Sequence, residues 1–137
     1  MQNPKTFKPS RKQLRYFELA RNVSHQSTYG KLSHGSVLVK GGCIINTGFN
    51  KKNFCSFGTR FRSPKDGLGT LHAEIAAVLG MPKSMTEGAS IYVVRTNNND
   101  LLRLSAPCPM CRQVLMHCGI RRAYYSTSQG TFEVIKL

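Results

Sequence analysis

The chain has 137 residues, 40% of them hydrophobic, which suits one domain with a buried core and leaves no room for several. Twenty Lys and Arg against six Asp and Glu give a net charge of +14, an excess that attracts polyanions such as nucleotides, RNA or DNA without identifying one. No apolar run approaches the ~20 residues of a transmembrane helix, and the opening MQNPKTFKPSRKQ has no apolar stretch behind its charges, so a soluble, cytoplasmic protein is expected.

Residues 1–9 contain Pro4 and Pro9 and no apolar pattern, so a flexible basic arm is expected there, with a single domain over 10–137. Ser10 suits the N-cap of a helix over about 11–23. Leu14, Phe17, Leu19 and Val23 form its apolar face, and Arg11, Lys12, Arg15 and Arg21 its wet one. Residues 24–33 are polar and turn-like. Strands follow over 36–39 and 43–50, joined by the hairpin signal Gly41-Gly42. The stretch 51–70, with Gly58, Pro64, Gly67 and Gly69, is a long loop of the kind that often carries function. A short helix over 71–79 ends at Gly80 and Pro82. A third strand covers 89–95, a turn 97–100, and 101–105 is extended. Pro107 introduces a helix over 108–118, closed by Gly119. Strands over 122–126 and 131–136 complete the chain.

This order, α-β-β-α-β-α-β-β, predicts an α/β fold with one five-stranded mixed sheet between helices, three layers in all. The link at about 127–130 is far shorter than the dozen residues a parallel crossover needs, so the last two strands should run antiparallel.

Two short segments carry the chemistry: His72-Ala73-Glu74 and Pro107-Cys108-Pro109-Met110-Cys111. Each opens a predicted helix. Cys108 and Cys111 are three apart, which puts both sulfurs on one helical face. His72 and Glu74 are two apart, but side chains of a first turn lean toward the N-terminus, so both can meet a metal sitting off the helix end. Helix N-termini also favour thiolates and a bound hydroxide. Three protein ligands leave zinc one open position, as catalytic sites need. Water there becomes hydroxide near neutral pH, and Glu74, not a ligand, is placed to move its protons. A structural zinc knot would want a fourth ligand. Cys118 and His117 lie at the far end of the helix, roughly 10 Å of rise from Cys111. A redox C-x-x-C would have no use for His-Ala-Glu. The five cysteines, an odd number without a secretory signal, do not suggest a disulfide framework.

With H-x-E upstream of P-C-x-x-C, the chain resembles the cytidine and deoxycytidylate deaminase superfamily over roughly residues 10–137. The resemblance implies a cytidine deaminase-like fold, one zinc ion held by His72, Cys108 and Cys111, and Glu74 as proton shuttle. It implies substrate contacts from Asn50, at the end of the second strand, and from Ala73 and Pro107. Cys111-Arg112-Gln113 is similar to the free-nucleoside enzymes. Those usually carry a Glu two residues after the Asn, where this chain has Lys52. A carboxylate there repels a phosphate and a lysine attracts one, which favours a phosphorylated substrate. Gly119 to Tyr125 is more similar to the deoxycytidylate and tRNA adenosine deaminases. A homo-oligomer is implied by the resemblance alone.

Other residues fit plainer roles. Phe54, Phe57 and Phe61, among Lys51, Lys52, Arg60, Arg62 and Lys65, either stack a base or anchor the loop to the core. His25, His34 and His117 have no second motif around them, although His34 lies beside the first hairpin. Cys43 and Cys55 read as buried or partly buried thiols, and one of Tyr124 and Tyr125 as core. The leading expectation is therefore zinc-dependent hydrolytic deamination of a cytosine nucleoside or nucleotide to the uracil form. The alternatives are a polynucleotide-editing deaminase acting on tRNA adenosine or single-stranded cytosine, motivated by the charge, and a non-catalytic zinc scaffold, against which the intact Glu74 speaks. No membrane partner is expected.

Overall fold

The computed structural model describes residues 3–27, 33–51 and 72–137. Ser10 opens α1 (Arg11–Ser24) with a capping box: its Oγ accepts from the Gln13 N–H while Gln13 Oε1 accepts from the Ser10 N–H. The helix buries Tyr16, Phe17, Ala20 and Val23. Leu14 is 48% exposed, so the apolar stripe is set by 16, 17, 20 and 23 and leaves Leu14 at its margin.

The remaining elements are β1 (Lys5–Phe7), β2 (Ser33–Lys40), β3 (Cys43–Phe49), α2 (Ala73–Val78), α3 (Lys83–Thr86), β4 (Ser90–Thr96), β5 (Leu102–Arg103), α4 (Pro109–His117), β6 (Arg122–Ser126) and β7 (Phe132–Lys136). The strands form one sheet in the order β1-β7-β6-β4-β2-β3, with β5 added to β4. The β2–β3 hairpin turns at Gly41 and Gly42, whose φ values of 59° and 77° are left-handed. β4 is antiparallel to β2 and parallel to β6, so the sheet is mixed. β6 and β7 are antiparallel, as the short link between them requires.

The five expected strands are all present, and β1 and β5 are additional among the described residues. Lys5–Phe7 is thus a strand paired antiparallel with β7, in place of the flexible arm expected over 1–9. The cause is Phe7, whose ring lies 5.3 Å from that of Tyr124 and 6.4 Å from that of Phe17. Phe7 is half-buried there, and the apolar area it removes from water helps to hold the three-residue edge strand down. Two other expectations change. Cys43 is exposed at the hairpin. The short helix α3 forms after Pro82.

Alternation along the strands builds two cores. Tyr92 and Val94 point toward α1 with Phe17, Val37 and Tyr124. Ile91 and Val93 point toward α2 and α4 with Leu38, Ile75, Val114 and Tyr125. Tyr124 and Tyr125 are therefore both core, one on each face. This is the expected α/β/α arrangement. Two glycines set the approach of the helices. A Cβ on Gly35 would lie 2.0 Å from the Ala20 carbonyl oxygen, and one on Gly48 2.5 Å from the Ala73 carbonyl oxygen and the Ala77 nitrogen. α1 on β2 and α2 on β3 pack backbone to backbone, which only glycine allows.

No helix among the described residues is long and apolar enough to cross a membrane.

Candidate metal centre

His72 and Cys108 are the N-cap residues of α2 and α4, each with extended backbone angles. The ligands therefore stand at the mouths of the helices. Cys108 Sγ accepts from the Cys111 N–H at 3.4 Å, so the first cysteine caps the helix whose first turn carries the second. Pro109 at the first helical position fixes the backbone there.

The two helices meet because they share the face of the sheet lined by Ile75, Val93 and Val114. His72 Nδ1 lies 3.2 Å from Cys111 Sγ and 3.6 Å from Cys108 Sγ. One donor atom from each of His72, Cys108 and Cys111 falls within 4.8 Å of the others, the grouping that a tetrahedral ion with one open position needs. Cys111 is buried, and His72 and Cys108 are half-buried.

The electrostatics fit a cation. The Cys111 thiol donates to Cys108 and, with lesser help from His72, brings the Cys108 pKa down to about 4. The same bond, with burial, raises Cys111 well above the ordinary thiol range. The two thiols are thus close enough to shift one another in opposite directions, and a metal that binds both displaces their protons. Glu74 is 5% exposed, in the first turn of α2. Burial raises its carboxyl above the usual range, against the lowering effect of His72. A carboxyl tuned upward beside a metal site is suited to taking and returning protons.

Of the expected substrate contacts, Asn50, Ala73 and Pro107 are all buried. Asn50 is buried; its Oδ1 accepts from the His34 N–H at 2.9 Å, and its own N–H donates to the His34 carbonyl at 3.3 Å. Ala73 is fully buried, and its carbonyl accepts from Ser36 Oγ at 2.8 Å. Since His34 and Ser36 are two apart on β2, Asn50 and Ala73 are anchored to neighbouring positions of one strand. Pro107 is buried, and its carbonyl accepts from Arg112 Nε at 3.1 Å, which clamps the turn entering α4. Lys52, Phe54, Cys55, Phe57 and Phe61 lie outside the described residues.

Several supporting residues gave little sign in the sequence. Ser105 Oγ donates to the Val93 carbonyl and accepts from the Ser126 N–H, both at 2.9 Å, tying the approach to Cys108 onto the middle of β4 and the end of β6. Ser36 had no motif around it. Gly48 could have been found, because an isolated glycine inside a strand marks close backbone approach. His25 and Arg21 both contact Asp100 and serve the turn after β4. His117 is exposed at the far end of α4 from the three ligands.

Comparison with known proteins agrees with this geometry. The family model described as "Cytidine and deoxycytidylate deaminase zinc-binding region" matches residues 10–127. Comparison with curated protein sequences returns no match. Among solved structures, the dCMP deaminase from the cyanophage S-TIM5 in its apo form is 25% identical with a TM-score of 0.57, over 87% of this chain and 84% of that one. The cytidine deaminase from Burkholderia pseudomallei shares the fold at 22% identity and a TM-score of 0.64, over 90% of this chain and 91% of that one. The cytidine deaminase from Mycobacterium tuberculosis does so at 23% identity and a TM-score of 0.53, over 86% of each chain. A zinc-ligand triad, a fold shared with these enzymes and a family match over most of the length lead to one conclusion: the chain belongs to the cytidine and deoxycytidylate deaminase family.

Proposed function

We propose that this protein hydrolytically deaminates the cytosine ring of a nucleoside or nucleotide, giving the uracil form and ammonia. The observation that carries this reading is the gathering of His72, Cys108 and Cys111 within 4.8 Å beside the buried Glu74. The donor set, one imidazole and two sulfurs with one already inclined to thiolate, suits zinc. Held there, zinc supplies the Lewis acidity that makes water a nucleophile near neutral pH.

The protein's own residues supply binding and proton transfer. Glu74 takes a proton from water as the oxygen adds to C4 of the ring, and delivers it to N3. It carries the second water proton to the exocyclic amine. The C4–N bond then breaks, ammonia leaves, and the C4 carbonyl of uracil forms. The raised pKa of Glu74 supports this role, because the group must both accept and return a proton near neutral pH. Asn50, Ala73 and Pro107 are the proposed substrate contacts. Lys52, by charge, favours a phosphorylated substrate over a free nucleoside. The experiment is a panel of cytidine, CMP, dCMP, adenosine and short single-stranded oligonucleotides, offered to zinc-loaded protein and read by ammonia release. Release from the cytosine nucleoside or nucleotides supports the reading. Release from adenosine or oligonucleotides alone overturns it.

A further inference from the structure

The metal centre lies on the face of the sheet that carries α2 and α4, where the Ala73 carbonyl accepts from Ser36 and Cys111 packs with Ile91 and Val93. The opposite face, under α1, is a different surface, and Ser90 of β4 pairs with Arg122 of β6 at one end of it. Two cavities open at that end, on the α1 side of the sheet, of about 490 Å³ and 290 Å³. Gln13 lines both, which makes them one cleft along the first turns of α1.

The cleft is cationic throughout. Lys12 and Lys40 line the larger cavity, and Lys5, Arg122 and Lys136 the smaller; no Asp or Glu lines either. Arg122 and Lys136 are direct cross-strand partners, where like charges repel. Arg11 and Lys12 stand in the first turn of α1, where the helix dipole disfavours cations and no acidic residue offsets them. Among the described residues the salt bridges are those of Arg21 and His25 with Asp100, so no carboxylate relieves this crowding. Lys40 Nζ also donates to the Ser84 carbonyl. A chain of phosphates would offset both the Arg122–Lys136 repulsion and the uncompensated charge of the first turn of α1. Each recess has roughly the volume of a small-ligand pocket. Two adjoining recesses suit successive nucleotides of a flexible strand.

We propose that this cleft is a docking groove for single-stranded nucleic acid. It lies on the opposite face of the sheet from the metal centre, so a strand held there is a tether for the protein and not a base offered to Glu74.

The test is fluorescence anisotropy of a labelled 12-nucleotide poly(dT) strand against salt, with Lys12→Glu, Arg122→Glu and, as a control of equal charge change on β5, Arg103→Glu. Arg122→Glu creates an attractive pair with Lys136, so it should fold; Lys12→Glu is an independent change on an exposed helix position. Each cleft variant should weaken binding about tenfold and flatten the log–log salt slope by about 0.7, the value of one lost phosphate contact on a single strand. Arg103→Glu should change affinity less than twofold. Equal weakening by Arg103→Glu, unchanged binding in both cleft variants, equal affinity for a duplex of the same length, or no binding by the unaltered protein at 50 mM salt would each overturn the assignment.

Discussion

Ser36 Oγ donates to the Ala73 carbonyl at 2.8 Å, and this bond fastens the first turn of α2 to the middle of β2. Both residues are fully buried. α2 is six residues long and cannot hold its own shape, so His72 and Glu74 depend on such ties for their positions. Ser36→Ala should cost about 1–3 kcal/mol, because it leaves a buried carbonyl without its donor. Denaturant unfolding measures that loss. Zinc retention and turnover should both fall, since the positions of the ligand His72 and of Glu74 rest on the same tie.

Gly48→Ala acts on the same helix from the same face, since Gly48 is the cross-strand partner of Ser36. The new methyl group would meet the Ala73 carbonyl oxygen and the Ala77 nitrogen at 2.5 Å, and backbone cannot swing away as a side-chain tip can. Overpacking of this kind costs roughly 1–3 kcal/mol. The expected outcome is a lower melting temperature together with weaker zinc retention during dialysis. An unchanged melting temperature would mean that α2 does not rest on β3 as described.

Removing a ligand should separate metal from fold. Cys111→Ala takes one of the three donors and leaves the sheet intact. Atomic absorption should find zinc well below one per chain. Circular dichroism should still report the mixed helix and strand content, because the core under α1 does not touch the centre.

Stability should fall in alkali. Burial pushes the Tyr92 and Tyr125 hydroxyls up to about 12, and Tyr125 donates to Glu133 Oε1 at 2.9 Å, which holds it neutral. The unfolded chain loses these protons near the ordinary value of 10. Between pH 10 and 12 the folded state therefore binds more protons than the unfolded one, and stability declines with rising pH. Urea titrations at pH 9, 10 and 11 measure the decline, and Tyr125→Phe should make it shallower.

How much of this was legible in the sequence follows from which forces are local. The zinc segments could be read because their chemistry lies within five consecutive residues or fewer, at helix starts marked by Pro107 and Pro109. The antiparallel ending could be read because four residues cannot cross a sheet. Leu14 could not, because the centre of an apolar stripe shifts by one position without changing its periodicity, and the sheet it packs on decides which shift wins. β1 was missed for a similar reason. The four residues between Pro4 and Pro9 carry no pattern, and only the distant rings of Phe17 and Tyr124 give Phe7 a place to go. Ser36 and Ser105 act through bonds to carbonyls far along the chain, which no spacing rule reveals.

The central claim is that Glu74 moves the protons of a hydrolytic deamination at a centre held by His72, Cys108 and Cys111. Ammonia release from cytidine, CMP and dCMP by Glu74→Gln, with zinc measured on the same sample, tests it most directly. The account predicts full zinc occupancy and a fall in rate of at least 10²–10⁴, the usual worth of a general acid–base group. A Glu74→Gln protein that keeps its zinc and deaminates as fast as the unaltered chain would contradict it.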